Sequence, residues 1–147
     1  MNRGHYYLVG NHENYDDMST LRVDRIAHIT VLSERRKPLR EIKGYQQQRT
    51  FNVSQYVKEH IYMFGGESIT VSFKAKRSIV NQILDWFDGN VEFSDVTPDD
   101  VVCRVRVNHH AFKYWALQYM QSVKVLSPAS LVTEVKEAIK EGLQQYS

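Results

Sequence analysis

The 147-residue sequence has one cysteine, Cys103, three prolines and no run of eighteen apolar residues. A lone cysteine excludes an intrachain disulfide and a cysteine-based zinc site. The short apolar runs exclude a helix that spans a bilayer. Residues 1–7 have no apolar h-region, so a secretory signal is not expected there. Charge of one sign is also lacking: 19 Lys and Arg stand against 17 Asp and Glu, a net of +2, so the whole chain is no polyanion trap. A glycine-rich phosphate loop, a Ser–His–Asp order and a nucleophile elbow are all missing, and an enzyme is not expected. His12 with Glu13, Asp16 and Asp17, and the pair His109-His110, match no metal-ligand spacing. No metal and no cofactor is expected. A soluble cytoplasmic protein fits these exclusions.

What is present is ordinary globular material, 42% hydrophobic and 24% charged, long enough for a real core. The charge is uneven. Residues 1–60 hold ten basic and seven acidic side chains; residues 61–147 hold nine and ten. Between Arg35 and Arg49 the sequence sets Arg35, Arg36, Lys37, Arg40, Lys43 and Arg49 against Glu41 alone. Such a stretch either attracts phosphates through counterion release or is a solvated linker.

Residues 5–10 are rich in aromatic and β-branched side chains and predict a strand. Asn11 to Asp17 has turn chemistry. A second strand is predicted over residues 19–24, and a third through Ile26, Ile29, Val31 and Leu32, as in a meander or part of a small barrel. Residues 35–50 read as a linker. A short helical turn follows near Phe51–Val57, capped by Asn52 or Ser54, before Gly65-Gly66 breaks the chain.

From Ser68 the rhythm is clear. Ile69, Val71, Phe73 and Ala75 alternate on one strand face. A helix over residues 78–88 ends at Gly89-Asn90. Residues 91–93 and 101–107 are strands, the latter with Cys103, Val105 and Val107 inward and Arg104 and Arg106 outward. Phe112, Trp115, Ala116 and Tyr119 mark an amphipathic helix. Residues 123–126 form the last strand. Ser127 is the predicted cap of a closing helix, with Pro128 at its first position and Leu131, Val135, Ile139 and Leu143 in one stripe. The fold class is α+β, and the order β-α-β-β-α-β plus a helix is the ferredoxin-like split pattern, which by itself names no chemistry.

Tyr6-Tyr7-Leu8-Val9-Gly10 followed by Leu21-Arg22-Val23-Asp24-Arg25-Ile26 resembles the WYL domain of bacterial transcriptional regulators, with Tyr6 where that family has Trp. Tyr114-Trp115-Ala116-Leu117 and Val123 to Pro128, inside the βαββαβ unit, resemble the WCX extension that follows WYL domains. The resemblance implies a partial Sm-like β-barrel in residues 1–34, a basic linker with a short helix in residues 35–66, and a WCX-type ferredoxin-like domain in residues 67–147. It implies an effector-sensing and dimerisation region whose N-terminal winged helix-turn-helix, the part that would hold duplex DNA, is not in this sequence, nor are the barrel strands expected before the WYL strand. The open edge so created would be closed by a homodimer or by strand exchange. The effector would be single-stranded nucleic acid, a nucleotide-like molecule or another anion.

Arg22 and Arg25 are the leading ligand-binding candidates, since a guanidinium matches phosphate and stacks on bases. An Arg–Asp latch with Asp24 is the competing role. Tyr6 and Tyr7 point to opposite strand faces, and either could stack on a base. Arg35, Arg36, Lys37, Arg104 and Arg106 are secondary basic candidates, the last two on a sheet face shared with Lys74 and Lys76. Two other readings remain open: a stand-alone nucleic-acid-binding accessory protein, and a dimerisation module without a ligand.

Overall fold

The computed structural model describes residues 4–147. Residues 1–3, which belong to the stretch set aside as no secretory signal and to the 1–34 barrel portion, lie outside the described residues. The architecture is mixed α+β, with two antiparallel sheets and four α-helices among the described residues.

The first sheet is a hairpin of β1 (Tyr7–Asn11) and β2 (Met18–Arg22). Its turn is held as the Asn-rich sequence suggests. Asn11 Nδ2 donates to the carbonyls of Tyr15 and Asp17, and the His12 imidazole accepts from the Asn14 amide. Tyr7 pairs with Arg22 and Val9 with Thr20, so these four side chains share one face.

Two local expectations are corrected here. The second strand stops at Arg22, because residues Val23–Arg25 wind into a 3-10 turn closed by the Ile26 amide on the Val23 carbonyl. The third strand does not form. Ile29, Val31 and Leu32 are exposed, Val31 at 93%, and no described strand pairs with them. A β-branched sequence makes a strand only where a partner and a half-buried surface await it.

Helix α1 (Val53–Glu59) starts at Asn52, whose side chain accepts from the Gln55 amide as a cap should. With Ile42 and Met63 it builds a small core against the hairpin: Met18, Ile42, Tyr56 and Met63 are buried, with Tyr7, Val9, Leu39, Tyr45 and Phe51 packed around them. The stretch that reads as a linker is thus tied down by Ile42 and by a 3-10 turn at Leu39–Glu41. The Thr20 and Tyr56 hydroxyls meet at 2.7 Å across this core.

The second sheet has the strand order β4-β5-β3-β6, all antiparallel, from β3 (Ser68–Lys76), β4 (Val91–Ser94), β5 (Asp100–Asn108) and β6 (Val123–Ser127). The predicted alternation holds: Val71, Phe73, Ala75, Cys103, Val105 and Val107 are buried, while Lys74, Arg104 and Arg106 face out. Helices α2 (Val80–Phe87) and α3 (His109–Gln118) cover the inner face with Ile83, Phe87, Phe112 and Trp115. Helix α4 (Ala129–Gln144) packs Leu131 and Val135 on them and leaves Ile139 and Leu143 exposed. Its N-cap is Pro128, and no Ser127 side-chain bond closes it, which corrects the predicted cap. Asp88 in the left-handed region ends α2, with Gly89 next to it at φ 69°.

The halves meet at residues 65–67. The Gly66 amide donates to the Met18 carbonyl at 3.2 Å. Asn108, fully buried, donates to the Gly65 and Glu67 carbonyls and caps α3 through the Ala111 amide. A Cβ on Gly65 would sit 3.0 Å from the Met18 carbonyl oxygen, so glycine suits the close approach of two backbones and a side chain there would push them apart by a few tenths of an ångström.

Candidate functional site

The hairpin and the segment before Gly65 border an open cleft of about 650 Å³. Tyr7, Arg22 and Arg25 reach it from the hairpin and its 3-10 turn; Tyr62, Met63 and Phe64 form the opposite wall. That volume lies within the roughly 300–1,000 Å³ of small-molecule sites. Three of the residues singled out from sequence therefore share one cavity.

The two arginines differ in their partners. Arg22 is half-buried and held by Asp24 in a two-pronged pair, Nε–Oδ1 3.0 Å and Nη2–Oδ2 2.5 Å, with the His5 Nδ1 also 3.1 Å from Nη2. The fork geometry of guanidinium and carboxylate favours this pairing. The hydrogen bond from Arg22 holds the Asp24 carboxyl below its usual range, and Asp24 in turn raises Arg22. Arg25 is exposed, with no ion pair or hydrogen bond among the described residues. Arg22 is thus tied to Asp24, while Arg25 acts on the same carboxylate only through its charge.

The tyrosines also divide. Tyr7 is half-buried and faces the cleft. Tyr6 is 66% exposed on the opposite face of the hairpin, beside Leu8, Leu21 and Val23, and the cleft does not include it. The ring wall that the sequence did not single out comes from Tyr62 and Phe64, whose centroids are 5.8 Å apart. Tyr62 is steadied by donating its hydroxyl to Gln118 and by its ring contact with Trp86 at 5.1 Å. Phe64, 39% exposed, touches Tyr114 edge-on at 5.7 Å. The alternation Tyr62-x-Phe64 before two glycines was the available signal. The lining thus combines an exposed guanidinium, a group that can take a phosphate, with aromatic rings of the kind that can stack a base.

The secondary candidates fall in two other places. Arg36, Lys37, Arg40 and Arg49 line a broad groove of about 1,040 Å³ with Pro38, Phe51 and Gln46 to Gln48, and no carboxylate lines it. Arg35 is exposed nearby in sequence, outside this lining. On the outer sheet face Arg104 stands opposite Ser72 and Glu92, Lys74 pairs with Asp100 at 2.6 Å, and Arg106 reaches Glu59 at 3.3 Å. These sheet cations are not part of the Arg25 cleft.

Cys103 is fully buried, and burial pushes its thiol up to about 11. His109 pairs with Glu134 of α4 at 2.9 Å, which lowers the Glu134 carboxyl. Among the described residues no three His, Cys, Asp or Glu side chains are grouped to hold a metal, and no helix is long and apolar enough to cross a membrane.

Two family models match the chain. The WCX domain matches residues 65–143, the sheet with its helices, and the WYL domain matches residues 1–31, the hairpin and its 3-10 turn. The chain belongs to the WCX family, with a WYL segment before it. Comparison with curated proteins gives no match. WYL and WCX domains occur in the sensing regions of transcriptional regulators and are regulatory rather than catalytic. The WYL segment supplies Tyr7, Arg22 and Arg25, whereas Tyr62 to Phe64 lie between the two matched segments.

Proposed function

We propose that this WYL–WCX chain is the effector-sensing region of a bacterial transcriptional regulator, non-enzymatic and cytoplasmic, that binds a nucleotide-like anion or a short single strand in the Arg25 cleft. The observation that carries this reading is one cavity holding an unpaired guanidinium, Arg25, and an aromatic wall, Tyr62 and Phe64. In this reading Arg25 takes a phosphate, Tyr62 or Phe64 stacks a base, and the Arg22–Asp24 latch keeps the 3-10 turn in place so that Arg25 points at the ligand. Binding would favour one arrangement of an N-terminal DNA-binding domain over another, because a ligand with equal affinity for both shifts nothing. The strand order β4-β5-β3-β6 supports a ferredoxin-like extension. The hairpin, with its open edges and outward Tyr6, Leu8, Leu21 and Val23, fits one part of an Sm-like barrel and a homodimer contact.

The test is calorimetric titration with a dinucleotide and with short DNA and RNA oligonucleotides. Binding that Arg25→Ala weakens by ten- to a hundredfold supports the reading; equal binding by the variant, or none by the native chain, overturns it. A second reading is favoured by the basic groove with no carboxylate in its lining. There the chain would be an accessory protein that follows a nucleic-acid backbone, with a salt slope of about −3 for four neutralised phosphates. Steep salt dependence untouched by Arg25→Ala selects this second reading.

A further inference from the structure

A second, smaller cleft of about 220 Å³ lies on the seam between the two halves. It is lined by Asp17 of the hairpin turn, by Tyr45 and Glu59 of the helix segment, and by Ser68 and Arg106 of the large sheet, with Lys43 and Glu67 at its rim. It holds the volume of about seven waters, below the size of sites for drug-sized molecules.

Its electrostatics are the reverse of the Arg25 cleft. Two cations face three carboxylates, and both cations are engaged: Arg106 Nε with Glu59 at 3.3 Å and Lys43 with Glu67 at 3.5 Å. Glu59 is 8% exposed and also takes the Gln55 amide at 2.6 Å, so its charge is satisfied. Asp17 is half-buried, and its carboxylate has no ion pair or hydrogen bond among the described residues. Two neutral polar groups are also idle. The Ser68 hydroxyl is buried without a partner, and the Tyr45 hydroxyl makes no hydrogen bond to a described residue. The Ser68 oxygen is shielded even from water, so of the two only the Tyr45 hydroxyl is open to an occupant.

We propose that this seam cleft binds a small organic cation, a primary ammonium with a hydroxyl or amide a few bonds away. The ammonium would pair with Asp17, and the polar end would meet the Tyr45 hydroxyl. A net-negative pocket disfavours anions, and no three-ligand set is grouped there for a metal. Because the walls come from both halves, the occupant would brace the junction at Gly65-Gly66.

The test uses ethanolamine, with ethylene glycol as the uncharged control, read by thermal unfolding and calorimetry; a ligand that binds only the native state raises the melting point by mass action. Ethanolamine is expected to raise the melting point of the native chain, and ethylene glycol to leave it unchanged. Asp17→Asn should weaken ethanolamine at least tenfold. Lys43→Gln, which makes the pocket more negative, should tighten it several-fold, a gain that misfolding cannot imitate. Arg25→Ala should leave ethanolamine binding intact, which separates this site from the anion cleft. No shift with tens-of-millimolar ethanolamine, an equal shift with ethylene glycol, or no tightening in Lys43→Gln overturns the proposal.

Discussion

The two halves of this chain are stabilised in different ways. The WCX half closes over a deep core in which Phe73, Phe87, Phe112 and Trp115 are all fully buried and their rings touch within 4.9–6.2 Å. The N-terminal half rests on a smaller apolar cluster of Met18, Ile42, Tyr56 and Met63, and leaves Tyr6, Leu8, Leu21 and Val23 exposed. Both clefts include residues of the half with the smaller core. Binding surfaces are drawn from regions of low local stability, supported by a rigid neighbour.

The comparison can be broken most forcefully in the WCX core. Trp115→Ala should cost about 3–5 kcal/mol and unfold the sheet, measured by urea titration. If it costs no more than a hairpin mutation, the contrast between the halves is wrong. Met63→Ala, in the small core beneath the Arg25 cleft, should cost about 2 kcal/mol, the low end for such truncations, because a loose site collapses more readily. Its effect should appear first as faster amide exchange in β1 and β2, with β3 and β5 unchanged.

Arg25→Ala should weaken anion binding by about 1.5–3 kcal/mol, the range for a charged hydrogen bond, with little effect on melting temperature. Tyr56→Phe removes the bond to Thr20 and should cost about 1 kcal/mol.

The smallest effect is the Arg22–Asp24 latch. The Asp24 carboxyl is held below its usual value, so its contribution is present above the ordinary aspartate range and is lost as pH falls through the depressed folded value. Carboxyl NMR should find Asp24 titrating below the other exposed aspartates. Asp24→Asn should abolish that part of the acid dependence.

How far the sequence could be read follows the same division. In β3 and β5 the side chains alternate because one face is buried and the other wet, so composition and position agree. The hairpin turn was legible from Asn11, which bonds within its own few residues. The strand expected at 26–32 failed because its sequence satisfies strand propensity without a partner, and a partner is a long-range fact. Tyr62 and Phe64 were passed over for a related reason. They line one cleft with Arg25 because the chain folds back at Gly65 against Met18, an approach separated by 47 residues that no local pattern encodes.

Gly65 also makes the junction a gauge of distance. The methyl group of Gly65→Ala would press on the Met18 carbonyl oxygen from 3.0 Å and on the Ser19 Cα from 3.2 Å, atoms of the backbone that cannot swing aside. That methyl is a wedge a few tenths of an ångström thick. Phe64 stands one residue before it, so the wedge is driven in at the edge of the ring wall, and its effect on ligand affinity would register how finely the gap between the halves is set.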